Sequence, residues 1–229
     1  MDGNGRWAQA RGMPRTFGHK AGVEAVRRTV RNASELNIKH LTLYAFSSEN
    51  WSRPASEVSD LLGLLKLYIR GDLADLTANG VCIRIIGSRV DLKPDILELI
   101  ETAENKTAHN TKLFLNIAFN YGGRDEIVRA VQTVIDQPSG PIANGEKITA
   151  DHISQAMDTS RSPDPDFIIR TSGEMRISNF LLWQIAYAEF VFLDCMWPDF
   201  DMDQFRAALE QFRCRNRRFG GVDTKNVLP

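Results

Sequence analysis

IKHLTLYAFSSENWSRP, residues 38–54, holds the reading that decides the fold. An apolar run over residues 41–46 gives way at once to the polar loop Ser47-Ser48-Glu49-Asn50-Trp51-Ser52-Arg53-Pro54. Short apolar runs of this kind are the pattern of strands covered on both faces, as in a parallel sheet. Ligands of open α/β sheets bind beyond the carboxyl ends of the strands, so the polar side chains at this exit are candidate site residues. The plain alternative is a hydrophilic loop with serine caps.

The neighbouring segments repeat the alternation. Upstream, Val23, Val26, Val30, Ala33 and Leu36 recur at three to four residues and predict a helix with one buried stripe that ends near Asn37. Downstream the pattern predicts a helix over 60–76, a strand over 81–86, a helix over 94–108 and a strand over 113–118. A helix over 123–135, a Pro/Gly-rich loop over 137–146, a short helix over 148–157, strands over 167–170 and 190–194 and a closing helix over 203–217 complete the chain. Helix-period and strand-like segments in turn mean an α/β fold: one domain over 1–229, with a central, mostly parallel sheet flanked by helices. The 60–76 helix carries leucines around more of its circumference than one core stripe needs. Burial on two sides and a wall for an apolar tunnel both explain that, and small Ala45 on the neighbouring strand suits the tunnel.

The 229 residues are 43% hydrophobic and 25% charged with a formal net charge of -1, which excludes disordered and collagen-like classes and gives no sign of a nucleic-acid partner. Cys82, Cys195 and Cys214 form no CxxC pair, so no disulfide framework or zinc ribbon is expected and a reducing cytoplasm fits. The longest apolar stretch, 180–193, is interrupted by Gln184 and Glu189 and falls short of the roughly 18 residues a spanning helix requires. No basic segment followed by an apolar one opens the sequence, so no secretory signal is expected.

Four segments concentrate the residue types that handle phosphate. Asp2-Gly3-Asn4-Gly5-Arg6-Trp7 offers glycines for close backbone approach, a guanidinium fork and a carboxylate for a hard cation, although Asp-Gly and Asn-Gly are also ordinary turn signals. Arg15-Thr16-Phe17-Gly18-His19-Lys20-Ala21-Gly22 falls at the start of the first expected helix, whose free N–H groups suit an anion. A nucleotide P-loop is excluded there, because Ala21 stands where Ser or Thr is needed and the glycine spacing is wrong. The loop 47–54 is the third segment. Arg170-Thr171-Ser172-Gly173-Glu174-Met175-Arg176-Ile177-Ser178-Asn179 is the fourth, at another strand exit; it suits a second diphosphate or, more plainly, a surface ion-pair loop. His19, His40, His109 and His152 show no HExxH spacing, so zinc chemistry is not indicated.

Blocks 1–7, 17–22, 44–54, 116–124, 170–188 and 197–200 together resemble the signature blocks of the cis-prenyltransferases, and among these the bacterial undecaprenyl diphosphate synthases. Ser47-Ser48-Glu49-Asn50-Trp51 and Ile177-Ser178-Asn179-Phe180-Leu181-Leu182-Trp183-Gln184 carry the resemblance most specifically, and it runs in order over residues 1–221. It implies an Mg²⁺-dependent homodimer that adds isopentenyl diphosphate to an allylic diphosphate at the mouth of an apolar tunnel. It further implies peripheral membrane contact through the lipid product. Asp2 would hold Mg²⁺ with help from Glu189, and Asn50, with Ser47 and His19, would assist deprotonation. Gly3, Asn4, Gly5, Arg6, Arg15, His19 and Arg53 would bind the allylic diphosphate, with Trp7 and Trp51 near its isoprenoid and Ser48 and Glu49 in the same loop. Arg170, Arg176, Ile177 and Ser178 would bind isopentenyl diphosphate, and Arg218-Phe219-Gly220 would reach the partner subunit. Met175 stands where several relatives carry a polar side chain, and a strand is expected to lead into the first motif. A non-catalytic partner subunit of the same fold typically lacks the first-motif aspartate, whereas Asp2 is present; a generic phosphate hydrolase is the other competing class.

Overall fold

Apolar, β-branched runs form the strands and the 3.6-residue stripes form the helices that cover them. The computed structural model describes residues 1–215. The elements are α1 (Asn4–Gln9), α2 (Arg15–Glu35), β1 (His40–Ser47), α3 (Ala55–Ala78), β2 (Val81–Ile86), α4 (Pro94–Thr107), β3 (Leu113–Tyr121), α5 (Gly123–Asp136), α6 (Ala150–Ala156), β4 (Phe167–Arg170), β5 (Glu189–Phe192) and α7 (Met202–Arg213). Short 3-10 turns follow β1 at Ser48–Ser52 and precede α7 at Trp197–Asp199.

Every strand pairing is parallel. One ladder has the order β1-β3-β2, with Leu43 opposite Ile117 and Ile83 opposite Leu115; the other joins β4 to β5, with Arg170 opposite Phe192. β3 is the central strand, and Leu113, Leu115, Ile117, Phe119 and Tyr121 are all buried. The main core joins the first four of these to α2, α3, α4 and the α7 region through Ala25, Val30, Ile69, Leu73, Ile96, Ile100, Trp197, Phe200 and Phe205.

The departures from expectation have local causes. α3 starts at Ala55, directly after Pro54, because its polar first turn carries no apolar periodicity; the acidic Glu57 there complements the helix N-terminus. α2, by contrast, starts at Arg15, directly after Pro14, at the head of the 15–22 segment expected to begin it. α1 replaces the turn suggested by Asp-Gly and Asn-Gly. Tertiary packing decides this: a Cβ on Gly18 would stand 1.9 Å from the Asn4 carbonyl oxygen, so α2 accepts α1 only where it carries no side chain. β3 runs three residues past 118, ending where Tyr121 is wholly buried. β5 starts at Glu189 and α7 closes at Arg213, while residues 216–217 and the Arg218-Phe219-Gly220 motif lie outside the described residues.

A cleft of about 930 Å³ lies between the two ladders. Its walls include every residue over 38–47 and every residue over 162–171, so β1 and β4 turn edges rather than faces toward it. Ala45 lines the cleft, but among the leucines of α3 only Leu61 does; Tyr68, Ile69, Leu73 and Leu76 are buried in the core. Leu62 and Leu65 are only partly buried against the core and Leu67 is 60% exposed, so neither burial on two sides nor the cleft accounts for every leucine of that helix. No described helix is long and apolar enough to cross a membrane, and the three cysteines are unpaired.

Candidate active site

Asp2 sits at the cleft mouth with its backbone held on three sides. Its carbonyl accepts from Trp197 N at 2.9 Å, Ser172 Oγ at 2.8 Å and Thr171 Oγ1 at 3.1 Å. Gly3 follows at φ 97, and a Cβ there would meet Ser172 Oγ at 2.0 Å, so this close approach admits only glycine. The Asp2 carboxylate accepts from Gly3 N at 2.7 Å, Arg170 Nη2 at 3.0 Å and Arg6 Nη2 at 3.4 Å. Burial pushes this carboxyl up, but Arg170 and the Gly3 N–H outweigh it and hold it below its ordinary value.

The arginines fall into two groups around Asp2. On one side Glu57 accepts from Arg53 at 2.8 Å and Arg15 at 3.4 Å, with His19 Nε2 at 4.0 Å. On the other, Arg170 donates to Ser178 Oγ at 3.0 Å, and Arg176 pairs with Glu174, which also holds Arg6 at 2.9 Å. Arg6, Arg15 and Arg176 are largely exposed, so these ion pairs are worth at most about 1 kcal/mol each and exchange readily for a polyanion that offers bidentate oxygens. Asn4 Oδ1 and His19 Nε2 are buried beside these groups without a hydrogen-bond partner.

His19 is the fifth residue of α2, just past its first turn, with its side chain only 10% exposed. Burial lowers its pKa, against the raising effect of Glu57. A folded value below the ordinary one means that the unfolded chain takes up the proton first as pH falls. The stability this group contributes is therefore present above the ordinary histidine value and drains as pH falls through it. Urea unfolding of the chain at pH 7.5 and 5.5 should show a larger loss of stability than His19→Gln shows; an equal loss would remove the burial argument.

The 3-10 turn after β1 is a capping box in which Ser47 N donates to Asn50 Oδ1 at 3.1 Å. Ser47, Asn50 and Arg53 line the cleft with Asp2, Gly3, Asn4, Gly5, Arg6, Arg15 and His19, and Arg170, Arg176, Ile177 and Ser178 line it too. Ser48, Glu49, Trp7 and Trp51 are not among its lining residues. The Trp7 indole donates to Asp199 at 2.7 Å beneath the Arg11 guanidinium, and Trp51 donates to Asn120 at 2.7 Å against Phe46, so both rings brace the site's supports. Glu189 opens β5, at the opposite end of the β4–β5 ladder from Arg170, where it pairs with Arg215 at 2.8 Å. One chain thus does not bring Glu189 to Asp2. Met175 is 79% exposed.

Several supporting residues escaped the sequence reading. Glu57 organises Arg15, Arg53 and His19, and its place four residues after Arg53 was the available signal. Glu126, 1% exposed, accepts from Tyr121 Oη at 2.5 Å, Gln184 Nε2 at 2.9 Å and Asp158 N at 3.0 Å, tying the 181–185 segment to α5. No sequence spacing announces that network.

Among the described residues no three His, Cys, Asp or Glu side chains group as metal ligands. A lone hard carboxylate beside two arginine groups does fit Mg²⁺, which is held by one or two carboxylates together with substrate phosphate oxygens.

Residues 1–220 match the family described as "Putative undecaprenyl diphosphate synthase". The chain is 59% identical to an isoprenyl transferase of Brucella suis over 98% of its own length and 89% of the relative's. It is 58% identical to an isoprenyl transferase of Rhizobium meliloti, covering 97% and 90% of the two chains. Among solved structures, lavandulyl diphosphate synthase from Lavandula x intermedia, in complex with dimethylallyl diphosphate, superposes with a TM-score of 0.90 at 32% identity over 96% of this chain and 95% of that one. A probable undecaprenyl diphosphate synthase from Campylobacter jejuni gives 0.79 at 34% identity over 88% and 92%. With the aspartate and its two arginine groups assembled at one cleft, these likenesses show that the chain is a prenyltransferase of the undecaprenyl diphosphate synthase family.

Proposed function

We propose that the enzyme joins isopentenyl diphosphate to an allylic diphosphate such as farnesyl diphosphate, and repeats the step to make a long polyprenyl diphosphate such as undecaprenyl diphosphate. One observation carries the reading: a single cleft is lined by Arg15 and Arg53, which share Glu57, and by Arg6, Arg170, Arg176 and Ser178, which Asp2 and Glu174 link, together with apolar Leu41, Leu43, Leu61, Phe200 and Phe205. Two arginine groups suit two diphosphates, and the apolar wall suits a hydrocarbon. The relative holding dimethylallyl diphosphate supports an allylic substrate on one side.

Breaking the allylic carbon–oxygen bond leaves the electron pair on the departing diphosphate. Arg6, Arg15 and Arg53 stabilise that charge with preorganised donors. Asp2 would hold Mg²⁺, which when bound would supply further charge neutralisation. The isopentenyl double bond attacks the allylic carbon and the product alkene forms by loss of a proton, for which Asn50, Ser47 and neutral His19 stand at the cleft. The dry wall keeps water from the allylic cation and binds the growing chain by about 0.8 kcal/mol per buried CH₂. The enzyme works as a homodimer in the cytoplasm and meets the membrane peripherally, through its lipid product, with no nucleic-acid partner.

Arg176→Ala is the sharper test of substrate division, because Arg170 also holds Asp2. Loss of one charged phosphate contact at roughly 1.5 to 3 kcal/mol should raise the Michaelis constant for isopentenyl diphosphate by about 10- to 150-fold and change that for the allylic substrate much less. Equal rises would overturn the division. Labelled isopentenyl diphosphate, farnesyl diphosphate and Mg²⁺ should yield chain-lengthened product; release of inorganic phosphate alone would instead mean a hydrolase.

A further inference from the structure

The loop after β1 bears Arg53 and the loop after β4 bears Arg176, one arginine from each group, and one side chain joins the two loops. Asn179 sits in left-handed backbone at φ 60, between Ser178 at φ 49 and, two residues on, Leu181 at φ 46. Non-glycine residues enter this region at a cost, asparagine among the most readily, and they stay there only where surrounding contacts hold them. Here the contacts are specific. The Asn179 carbonyl accepts from Gly123 N at 2.7 Å and its Oδ1 from Arg124 N at 2.9 Å. These are free N–H groups at the start of α5, whose own N-cap residue, Gly122, supplies no side-chain bond. Its Nδ2 then donates to Glu49 Oε1 at 2.7 Å, in the turn after β1. Gly122 leaves the room for this bridge: a Cβ there would stand 2.9 Å from Asn179 Nδ2 and 2.7 Å from Ser48 Oγ. The adjacent Ser178 accepts from Arg170 at 3.0 Å.

A short side chain that tolerates left-handed backbone, accepts at one atom and donates at the other meets all these demands, and asparagine is that side chain. Glutamate at 49 is the matching acceptor. Burial pushes its carboxyl up, but the Asn179 amide and the Ser47 and Ser48 hydroxyls outweigh this, so it is ionised at neutral pH.

We propose that Asn179 is a positioning residue that couples the two substrate sites: it ties the loop bearing Arg170 and Ser178 to the loop bearing Glu49, Asn50 and Arg53, so that filling one site raises affinity at the other. The inference rests on the two-diphosphate reading above. Occupying the allylic side orders the 48–53 turn, and the Asn179 bond passes that order to Ser178 and Arg170.

The test is calorimetric binding of isopentenyl diphosphate, with Mg²⁺, in the presence and absence of an unreactive farnesyl thiolodiphosphate. The analogue should tighten isopentenyl diphosphate binding by about 5-fold or more in the unchanged chain, the lower range of ordinary coupling. Asn179→Asp keeps the acceptor for α5 but sets a carboxylate against Glu49, and should reduce the enhancement to near unity. Adding Glu49→Gln returns a complementary donor and should restore it, while thermal midpoints report separately on the α5 cap. No enhancement in the unchanged chain, or full enhancement in Asn179→Asp, would overturn the coupling. So would a loss in Asn179→Asp that follows the thermal midpoint and is not restored by Glu49→Gln. Failure of the unchanged chain to bind isopentenyl diphosphate under either condition is a different result: it removes the substrate reading itself, and the coupling with it.

Discussion

Asp2→Ala should lower turnover about 10²- to 10³-fold, the usual cost of removing a preorganised charge from a reacting centre. The carboxylate is where three donors meet: the Gly3 N–H, Arg170 and Arg6. Its backbone contacts to Thr171, Ser172 and Trp197 do not involve the carboxylate, so the loop should stay in place when the side chain is cut back. Because its folded-state value is depressed, the charge persists to below the ordinary aspartate pKa, and its contribution to stability is lost only as pH falls through that lower value. Single-turnover rates on folded protein decide the matter. Near-normal rates in Asp2→Ala would count against the assignment of the whole site.

Trp197→Ala should be the most damaging change to stability, at roughly 3 to 5 kcal/mol for an aromatic lost from a core. The ring is 5% exposed and stacks on Phe200 at 5.5 Å, and its indole N–H donates to the Gly22 carbonyl at 2.9 Å. The substitution leaves a cavity beneath the same loop whose backbone N–H holds Asp2. For a chain of this size the unfolding midpoint should fall by roughly 6 to 20 °C. Thermal unfolding followed by circular dichroism measures it, and a fall of only a degree or two would show that α2 and α7 close over the gap.

What could be read before any coordinates were known follows the physics of period and punctuation. β2 and β4 coincide with the expected segments because an apolar run bounded by turn residues has no competing interpretation. The helix start at Ala55 was placed late, since a proline-led, polar first turn carries no apolar period. α1 was invisible for a different reason: it exists because glycines of α2 leave room for it, a relation between segments that no local pattern records. In the site, the arginines, Asp2 and Ser178 were legible because phosphate chemistry uses few residue types. The partners that organise them were not. Glu57 looked like an ordinary acidic first-turn residue, Asn179 like one polar letter in a quoted motif, and the tryptophans at 7 and 51 like isoprenoid contacts rather than donors to Asp199 and Asn120.

The edges of β1 and β4 that border the cleft have a consequence for the molecule's behaviour among other chains. Among the described residues, neither strand pairs with a third one on that side. A segment lying there would find backbone donors and acceptors along both flanks instead of the single flank an ordinary sheet edge presents, which makes the cleft a template for strand capture. At high protein concentration, peptides rich in valine and isoleucine would compete with hydrocarbon for the same space, so charged or proline-bearing tags are the safer additions to this chain.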